Sequence, residues 1–324
     1  MACPNIALIK YWGKRDERLV LPTADSLSMT LDVFSTTTTV ELSPAASGDQ
    51  VTLNGTEMAD EPYRRVTAFL DLVRQKAGRF EAAVVDTHNT VPTGAGLASS
   101  ASGFAALALA ASAVYGLKLD DTELSRLARR GSGSASRSVF GGFAVWRAGQ
   151  GTGDEAESSS YAEAVPTPDL DVAMVIAVVD AGPKSVSSRA AMRRTVDTSP
   201  LYWPWVESSR ADLVDIRAAL ERGDLTAVGE IAERNALGMH ATMLTARPAV
   251  RYMSPATLAV LDRVIQLRRD GILAYATMDA GPNVKVLCRS SDAQKVERAL
   301  REGTSQTFIA HPGPGAFLRS GDSR

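Results

Sequence analysis

The chain has 324 residues, room for one large domain or two intimate ones at roughly 100–200 residues per domain. Hydrophobic residues make up 45% and charged residues 22%, a globular balance that excludes a disordered, collagen-like or membrane-embedded chain. Thirty-five Lys and Arg against 37 Asp and Glu give a formal net charge of −2, so no global basic field exists for nucleic acid, and an anionic partner has to meet local cations. Cys3 and Cys288 are too few for a disulfide framework or a multi-cysteine zinc site and read as reduced thiols of a cytoplasmic protein. His88, His240 and His311 are far apart in the chain, so no His-rich metal site is expected.

In chain order, Asn5-Ile6-Ala7-Leu8-Ile9-Lys10 opens as a strand alternation, with Tyr11, Trp12 and Lys14 close behind. Lysines at a strand end hold phosphates and aromatics wall pockets; the plainer alternative is an edge strand with solvated lysines. No basic stretch leads into an apolar core at the N-terminus, so no signal peptide is expected. β-Branched runs predict strands over 36–42 and 82–85, and Val66, Phe69, Leu70 and Val73 on one face predict a helix over 63–76. Residues 87–117 contain no Lys, Arg, Asp or Glu. The first part is loop-like, and the alanine-rich 103–117 falls short of the about 20 residues a spanning helix needs. It reads as a buried helix.

The strongest local signal is Pro92-Thr93-Gly94-Ala95-Gly96-Leu97-Ala98-Ser99-Ser100-Ala101-Ser102. Glycines let a backbone approach an anion, and the helix that follows offers unpaired N–H groups. It is neither a GxxxxGK[ST] loop nor a GxGxxG fingerprint, and a glycine loop capping a buried helix is the alternative. A helix over 121–130 starts with aspartate and ends in arginines, matching the helix dipole. After it, Gly131-Ser132-Gly133-Ser134-Ala135-Ser136-Arg137-Ser138 sets small hydroxyl residues around one arginine, a plausible anion cradle or else a linker. A strand is expected over 143–146, and the polar 149–160 reads as an exposed loop dividing an N-terminal lobe (1–160) from a C-terminal lobe (161–324).

Further on, strands are expected over 172–179, 272–277 and 284–288, and helices over 211–222, 225–243 and 255–270. Strands mixed with helices on both sides of the boundary give an α/β (α+β) class. Lys184 to Arg194 reads either as a helix start with a solvated basic face or as a second anion site. Asp279, before Gly281-Pro282, either starts a turn or aims a carboxylate into a cleft. His240, in an apolar helix, reads as a core histidine with its hydrogen bonds made.

Together these segments resemble a known family. Pro92 to Ala101 is similar to the phosphate loop of the GHMP kinases. Asn5-Ile6-Ala7…Lys10-Tyr11-Trp12-Gly13-Lys14-Arg15, Gly131 to Ser138, and Met278-Asp279-Ala280-Gly281-Pro282-Asn283 resemble the diphosphomevalonate decarboxylases of that superfamily. The resemblance runs from Asn5 to about His311. It implies a GHMP-type fold with two lobes around a deep cleft, usually as a homodimer without nucleic-acid or membrane partners. It also implies ATP, with Mg²⁺ bound on the nucleotide rather than in a protein cage, and diphosphomevalonate as substrates.

Carried over on matching positions, the resemblance implies Asp279, Arg137 and Lys10 as catalytic. It implies Tyr11, Lys14, Arg65, Ser132, Ser134, Arg189 and Met192 as substrate-binding. Pro92, Gly94, Gly96, Leu97, Ala98, Ser99 and Ser100 match the ATP loop. Ala24 and Asp25 depart from the family's asparagine and serine and take no ligand role. The chain also begins almost at the first motif, where relatives carry a few more residues of leading strand. Residues 131–142 contain no Asp or Glu, where several kinases of the superfamily place their catalytic aspartate, which favours a decarboxylase. A phosphomevalonate decarboxylase, a mevalonate 3-kinase and a non-catalytic binding protein on the same scaffold are the alternatives.

Overall fold

β1 (Asn5–Ile9) is buried along its whole length. It leads through the hairpin of β2 (Lys14–Asp16) and β3 (Leu21–Pro22) to β4 (Ser26–Thr30), with which it pairs antiparallel. The structure is a computed structural model that describes residues 1–91, 99–168, 170–182 and 186–319. Next come β5 (Thr36–Ser43), β6 (Gln50–Leu53), β7 (Thr56–Glu57), α1 (Asp60–Ala77) and β8 (Ala82–Asn89). β5 alternates buried and outward-facing residues over its first half, as a strand with one wet face does. α1 begins with Asp60 and Glu61, ends with Arg74 and Lys76, and stops at Gly78, whose φ of 64° is left-handed. α2 (Ser99–Val114) is the alanine-rich buried helix, and it starts earlier than its apolar run because serines are good first-turn residues.

α3 (Asp121–Gly131) follows with a complete capping box between Asp120 and Glu123. A 3₁₀ segment (Gly133–Val139), β9 (Phe143–Trp146), α4 (Gly153–Ser159) and β10 (Ala162–Val165) come next. The segment expected to be an exposed loop over 149–160 is therefore partly helical. Asp154 and Glu155 sit in the first turn of α4, and Ala156 anchors it in the interior. β10 pairs with β9, so the sheet in order β1-β4-β9-β10 extends past that segment.

The rest of the chain forms β11 (Ala173–Val178), α5 (Ser188–Thr198), α6 (Tyr202–Glu221), α7 (Leu225–Leu244) and α8 (Pro255–Arg269). β12 (Ala274–Met278), β13 (Val284–Cys288), α9 (Ala293–Leu300) and β14 (Gln306–Ala310) complete it. α6 begins nine residues before the expected 211 because Pro204 falls in its first turn, where a missing N–H costs nothing. The sheet order is β12-β13-β11-β14, all antiparallel.

One core layer unites the two halves. Leu8, Leu27, Met29 and Val145 from the first sheet share a cluster with Met174, Ile176, Ile216, Ile231, Tyr275 and Leu287. A second cluster lies beneath β5 and β8 with α1, α2 and α3, and a third packs α8 and α9 on the far face of the last sheet. Among the described residues no helix is long and apolar enough to cross a membrane.

Candidate active site

The C-terminal end of β1 and the β12–β13 turn meet at one point. Lys10, 2% exposed, follows β1, and its Nζ donates to Asp279 Oδ1 at 2.8 Å. Asp279 follows β12, and the antiparallel register puts Lys285 of β13 opposite Thr277. Lys285, 1% exposed, places its Nζ 3.2 Å from Asp279 Oδ2. The carboxylate thus has a lysine on each oxygen, while its side chain remains 30% exposed toward the cleft. Burial alone would raise the Asp279 pKa, but the charges and hydrogen bonds of Lys10 and Lys285 outweigh it and hold the carboxyl well below the usual carboxylate range. The pKa of Lys10 is lowered by burial, against the opposing pull of Asp279.

The turn and strand end are fixed from behind. Asp279 O accepts from Gly281 N at 2.8 Å, and Asn283 Oδ1 accepts from Val179 N and Asp180 N at 2.8 and 3.0 Å. The backbone N–H of Lys10 donates to Asn235 Oδ1 on α7 at 2.9 Å. Asn235 Nδ2 in turn donates to Ser209 Oγ and Asp212 Oδ2, both at 2.9 Å. His240, also on α7, is buried, and its pKa falls to about 4 through burial and the nearby Lys10 charge. It was expected to have its hydrogen bonds made. A backbone hydrogen bond links the ring to Asp279, but the ring Nε2 is buried without a hydrogen-bond partner among the described residues.

Arg137, in the 3₁₀ segment, is buried and held from three sides. Its Nε donates to Ser28 Oγ at 2.9 Å, Nη1 to Ser26 Oγ, and Nη2 to Asn5 Oδ1 at 3.3 Å. Asn5 is itself fixed by Ser134 O and Ser138 Oγ at 2.9 and 2.8 Å. A guanidinium has five N–H donors, so two remain for a ligand. Burial lowers the Arg137 pKa to about 10, which leaves it charged at neutral pH. Tyr11 packs edge-on against Trp146 with centroids 4.8 Å apart, and burial pushes its phenol pKa up.

These groups open on a cleft of about 1020 Å³ lined by Lys10, Tyr11, Lys14, Arg65, Ser100, Ser132, Ser134, Arg137, Arg189, Met192 and Asp279. Ser100 Oγ lies 3.2 Å from Ser132 Oγ, which lies 3.4 Å from Ser134 Oγ, a line of hydroxyls from the start of α2. Arg65 donates to Gly131 O at 3.1 Å and lies over the Phe104 ring. Arg189 pairs with Glu61 at 3.0 Å, and Lys14 with Glu17 at 2.5 Å. Ser99 is the exposed first residue of α2. Pro92, Gly94, Gly96, Leu97 and Ala98 lie outside the described residues.

Sequence reasoning missed Lys285, Glu61 and Asn235. The first had a signal: a lone lysine in the apolar run Val284-Lys285-Val286-Leu287 has to be either outward-facing or paired inside. The other two make contacts between segments far apart in the chain, which spacing does not reveal.

Residues 2–162 match the family model described as the diphosphomevalonate decarboxylase-like N-terminal domain. Residues 174–310 match that of the mevalonate 5-diphosphate decarboxylase C-terminal domain. Diphosphomevalonate decarboxylase of Homo sapiens is 37% identical over 320 residues, 92% of this chain and 78% of its own length. That of Ganoderma lucidum is 36% identical over 304 residues, 87% and 76% of the two chains. Among solved structures, mevalonate diphosphate decarboxylase from Staphylococcus aureus superposes with a TM-score of 0.93 at 39% identity, covering 97% of this chain and 95% of that one. The Enterococcus faecalis enzyme gives 0.90 at 45% identity, covering 97% and 96%. The fold is of the GHMP-kinase type. The chain belongs to the diphosphomevalonate decarboxylase family.

Proposed function

We propose that this chain decarboxylates (R)-5-diphosphomevalonate at the expense of ATP, giving isopentenyl diphosphate, ADP, phosphate and CO₂. The observation that carries the reading is Asp279, a carboxylate clamped by two buried lysines at the floor of a cleft that Arg137 also lines. Family membership supports it, and one solved relative has a structure described as a complex with MVAPP, AMPPCP and magnesium.

In this reading Asp279 accepts a hydrogen bond from the substrate's 3-hydroxyl and aims its oxygen at the γ-phosphorus of ATP. A carboxyl of depressed pKa is a weak base. In a loose phosphoryl-transfer transition state, however, the nucleophile keeps its proton until late, so orientation matters more than basicity. The new O–P bond forms, ADP leaves, and the proton passes to Asp279 and on to water. The C3–O bond then breaks with loss of phosphate. The electrons of the bond to the carboxylate carbon become the new double bond, and CO₂ departs. The two free N–H groups of Arg137 hold that carboxylate in line, while Lys10 offsets the negative charge gathering at the centre. Lys14, Arg65 and Arg189 take the diphosphate, Tyr11, Met192 and the Ser132 and Ser134 hydroxyls wall the substrate, and the segment 92–100 takes the ATP phosphates.

Magnesium fits as a passenger on the nucleotide. Hydroxyl oxygens at the start of α2 suit a hard cation, and among the described residues no three His, Cys, Asp or Glu converge. Bound there, it would neutralise phosphate oxygens, with Ser100 at hand. The reading also includes a lobe division at 1–160 and 161–324, a homodimer and a cytoplasmic setting. For the last, Cys3 and Cys288 are free and buried, and burial lifts the Cys288 thiol to about 12.

The test is product analysis with ATP and diphosphomevalonate. Equimolar ADP and CO₂ are expected. ADP without CO₂ would mark a kinase, neither product a binding protein, and faster turnover of the monophosphate would shift the substrate assignment.

A further inference from the structure

β2 separates two cavities. Successive side chains of a strand point to opposite faces, and here Lys14 enters the active-site cleft while Arg15 enters a second cavity of about 710 Å³. One wall of that cavity is a single face of α6, spaced at helical intervals: Arg210, Leu213, Val214, Arg217, Ala218 and Glu221. The facing wall comes from the β3–β4 connection at Asp25 and from the end of β9 at Arg147.

The charge inventory of this cavity is unbalanced. Arg147 is neutralised by Glu163 at 2.6 Å and Asp25 at 3.4 Å, and Arg210 by Glu207 at 2.5 Å. Arg15 spends its guanidinium on the carbonyls of Gly151, Ala148 and Gly149, which are neutral. Arg217 has a buried Nε without a hydrogen-bond partner among the described residues. Glu221, one helical turn past Arg217 on the same wall, is the remaining carboxylate, and among the described residues it forms no ion pair with either arginine. Arg15 and Arg217 therefore leave the cavity an excess of one positive charge beside the short apolar surface of Leu213 and Val214. A buried N–H left unmade is costly, and a planar guanidinium in a recess is suited to phosphate oxygens.

We propose that this second cavity is a binding site for a small multiply charged anion of the phosphate or diphosphate class, held by Arg217 and Arg15. The site is distinct from the cleft that contains Asp279, and the proposal goes beyond the reaction assigned there.

Equilibrium dialysis with labelled inorganic pyrophosphate in 0.15 M chloride, on the full chain, tests it. The wild-type chain should bind about two equivalents, and Arg217→Gln about one. Val214→Glu, at a position 68% exposed and so safe for folding, sets a carboxylate at the rim and should also bind about one. Displacement of the remaining equivalent by diphosphomevalonate tests the active-site reading separately. The proposal is overturned if Arg217→Gln and Val214→Glu bind as many equivalents as the wild-type chain, or if the equivalent they lose appears in the wild-type chain only when chloride is removed.

Discussion

Lys285 and Asp279 face each other across the β12–β13 turn, with Nζ 3.2 Å from Oδ2. Lys10 holds the other oxygen from the first sheet, so one carboxylate ties together strand ends from two sheets. Both lysines are buried, and the carboxylate, 30% exposed, is the member of the trio most open to the cleft, an arrangement in which two cations fix one anion.

Asp279→Asn should separate chemistry from binding. Substrate contacts elsewhere survive, so KM for ATP and diphosphomevalonate should change little while kcat falls by about 10³ or more. ADP and CO₂ formation should drop together. The variant also removes the carboxylate that pairs with both buried lysines, and breaking a buried pair typically costs about 3–5 kcal/mol, so Tm should fall. The wild-type carboxyl has a depressed folded pKa, so its stabilisation is complete above the ordinary value near 4 and is lost only as pH falls toward the lower folded value. Consequently Asp279 contributes no acid limb to kcat/KM above about pH 5. A variant that makes ADP at the wild-type rate without CO₂ would move Asp279 to the second half-reaction.

Arg137→Lys is expected to behave as a severe change. The guanidinium bonds Ser28, Ser26 and Asn5 and still keeps a fork of donors, whereas an ammonium has three donors in all. A loss of about 3–4 kcal/mol of transition-state stabilisation is a hundred- to thousand-fold fall in rate. Steady-state kinetics near the wild-type value would remove Arg137 from the catalytic set.

Glu61→Gln should strengthen substrate binding. In the free protein Arg189 is occupied by Glu61 at 3.0 Å, and both side chains are about half exposed. An incoming diphosphate has to displace that carboxylate. Exposed pairs are worth about 0–1 kcal/mol, so KM for diphosphomevalonate should fall by up to about fivefold, with kcat unchanged. A rise in KM would mean that Glu61 positions Arg189 for the substrate instead.

His240 should make the fold acid-sensitive. Its pKa drops from the ordinary 6.5 to about 4, so the folded state resists a proton that the unfolded chain accepts. The penalty is absent above pH 6.5 and grows as pH falls toward 4, reaching about 2–3 kcal/mol. Urea unfolding at pH 7 and 4.5 should show a smaller acid loss for His240→Gln than for the wild-type chain. Equal losses in both would place the sensitivity elsewhere.

Much of the site was legible because its residues sit in short, chemically distinctive runs. Read alone, Lys10 passes for a solvated edge-strand lysine, Asp279 for a turn start and Arg137 for part of an anion cradle or a linker. It is the family resemblance of their motifs that links them, and the structure gathers all three at one cleft. Helices announced themselves through caps and periodicity, as α3 does with Asp120 and Glu123. What stayed hidden depends on pairing between distant segments. β10 is a strand because β9 accepts it, α4 folds because Ala156 finds a place in the interior, and Asn235 matters because Lys10, far away in sequence, presents its N–H there. No local pattern encodes such partnerships.

The core shared by the first and last sheets limits how this protein can breathe. Leu8, Leu27 and Val145 interdigitate with Ile176, Ile231 and Tyr275 in one continuous layer, so swinging the two halves apart would pull close-packed apolar surface into water. Opening of the clamshell kind, seen where domains touch through a thin polar seam, therefore carries a packing cost here that such a seam does not impose. Admission of ligand and shielding of the reacting centre fall to rim groups that can exchange partners cheaply, such as Arg189, Glu61, Lys14 and Glu17. The floor that carries Asp279 is tied to that shared layer through Leu8 and Ile9 of β1 and Tyr275 of β12.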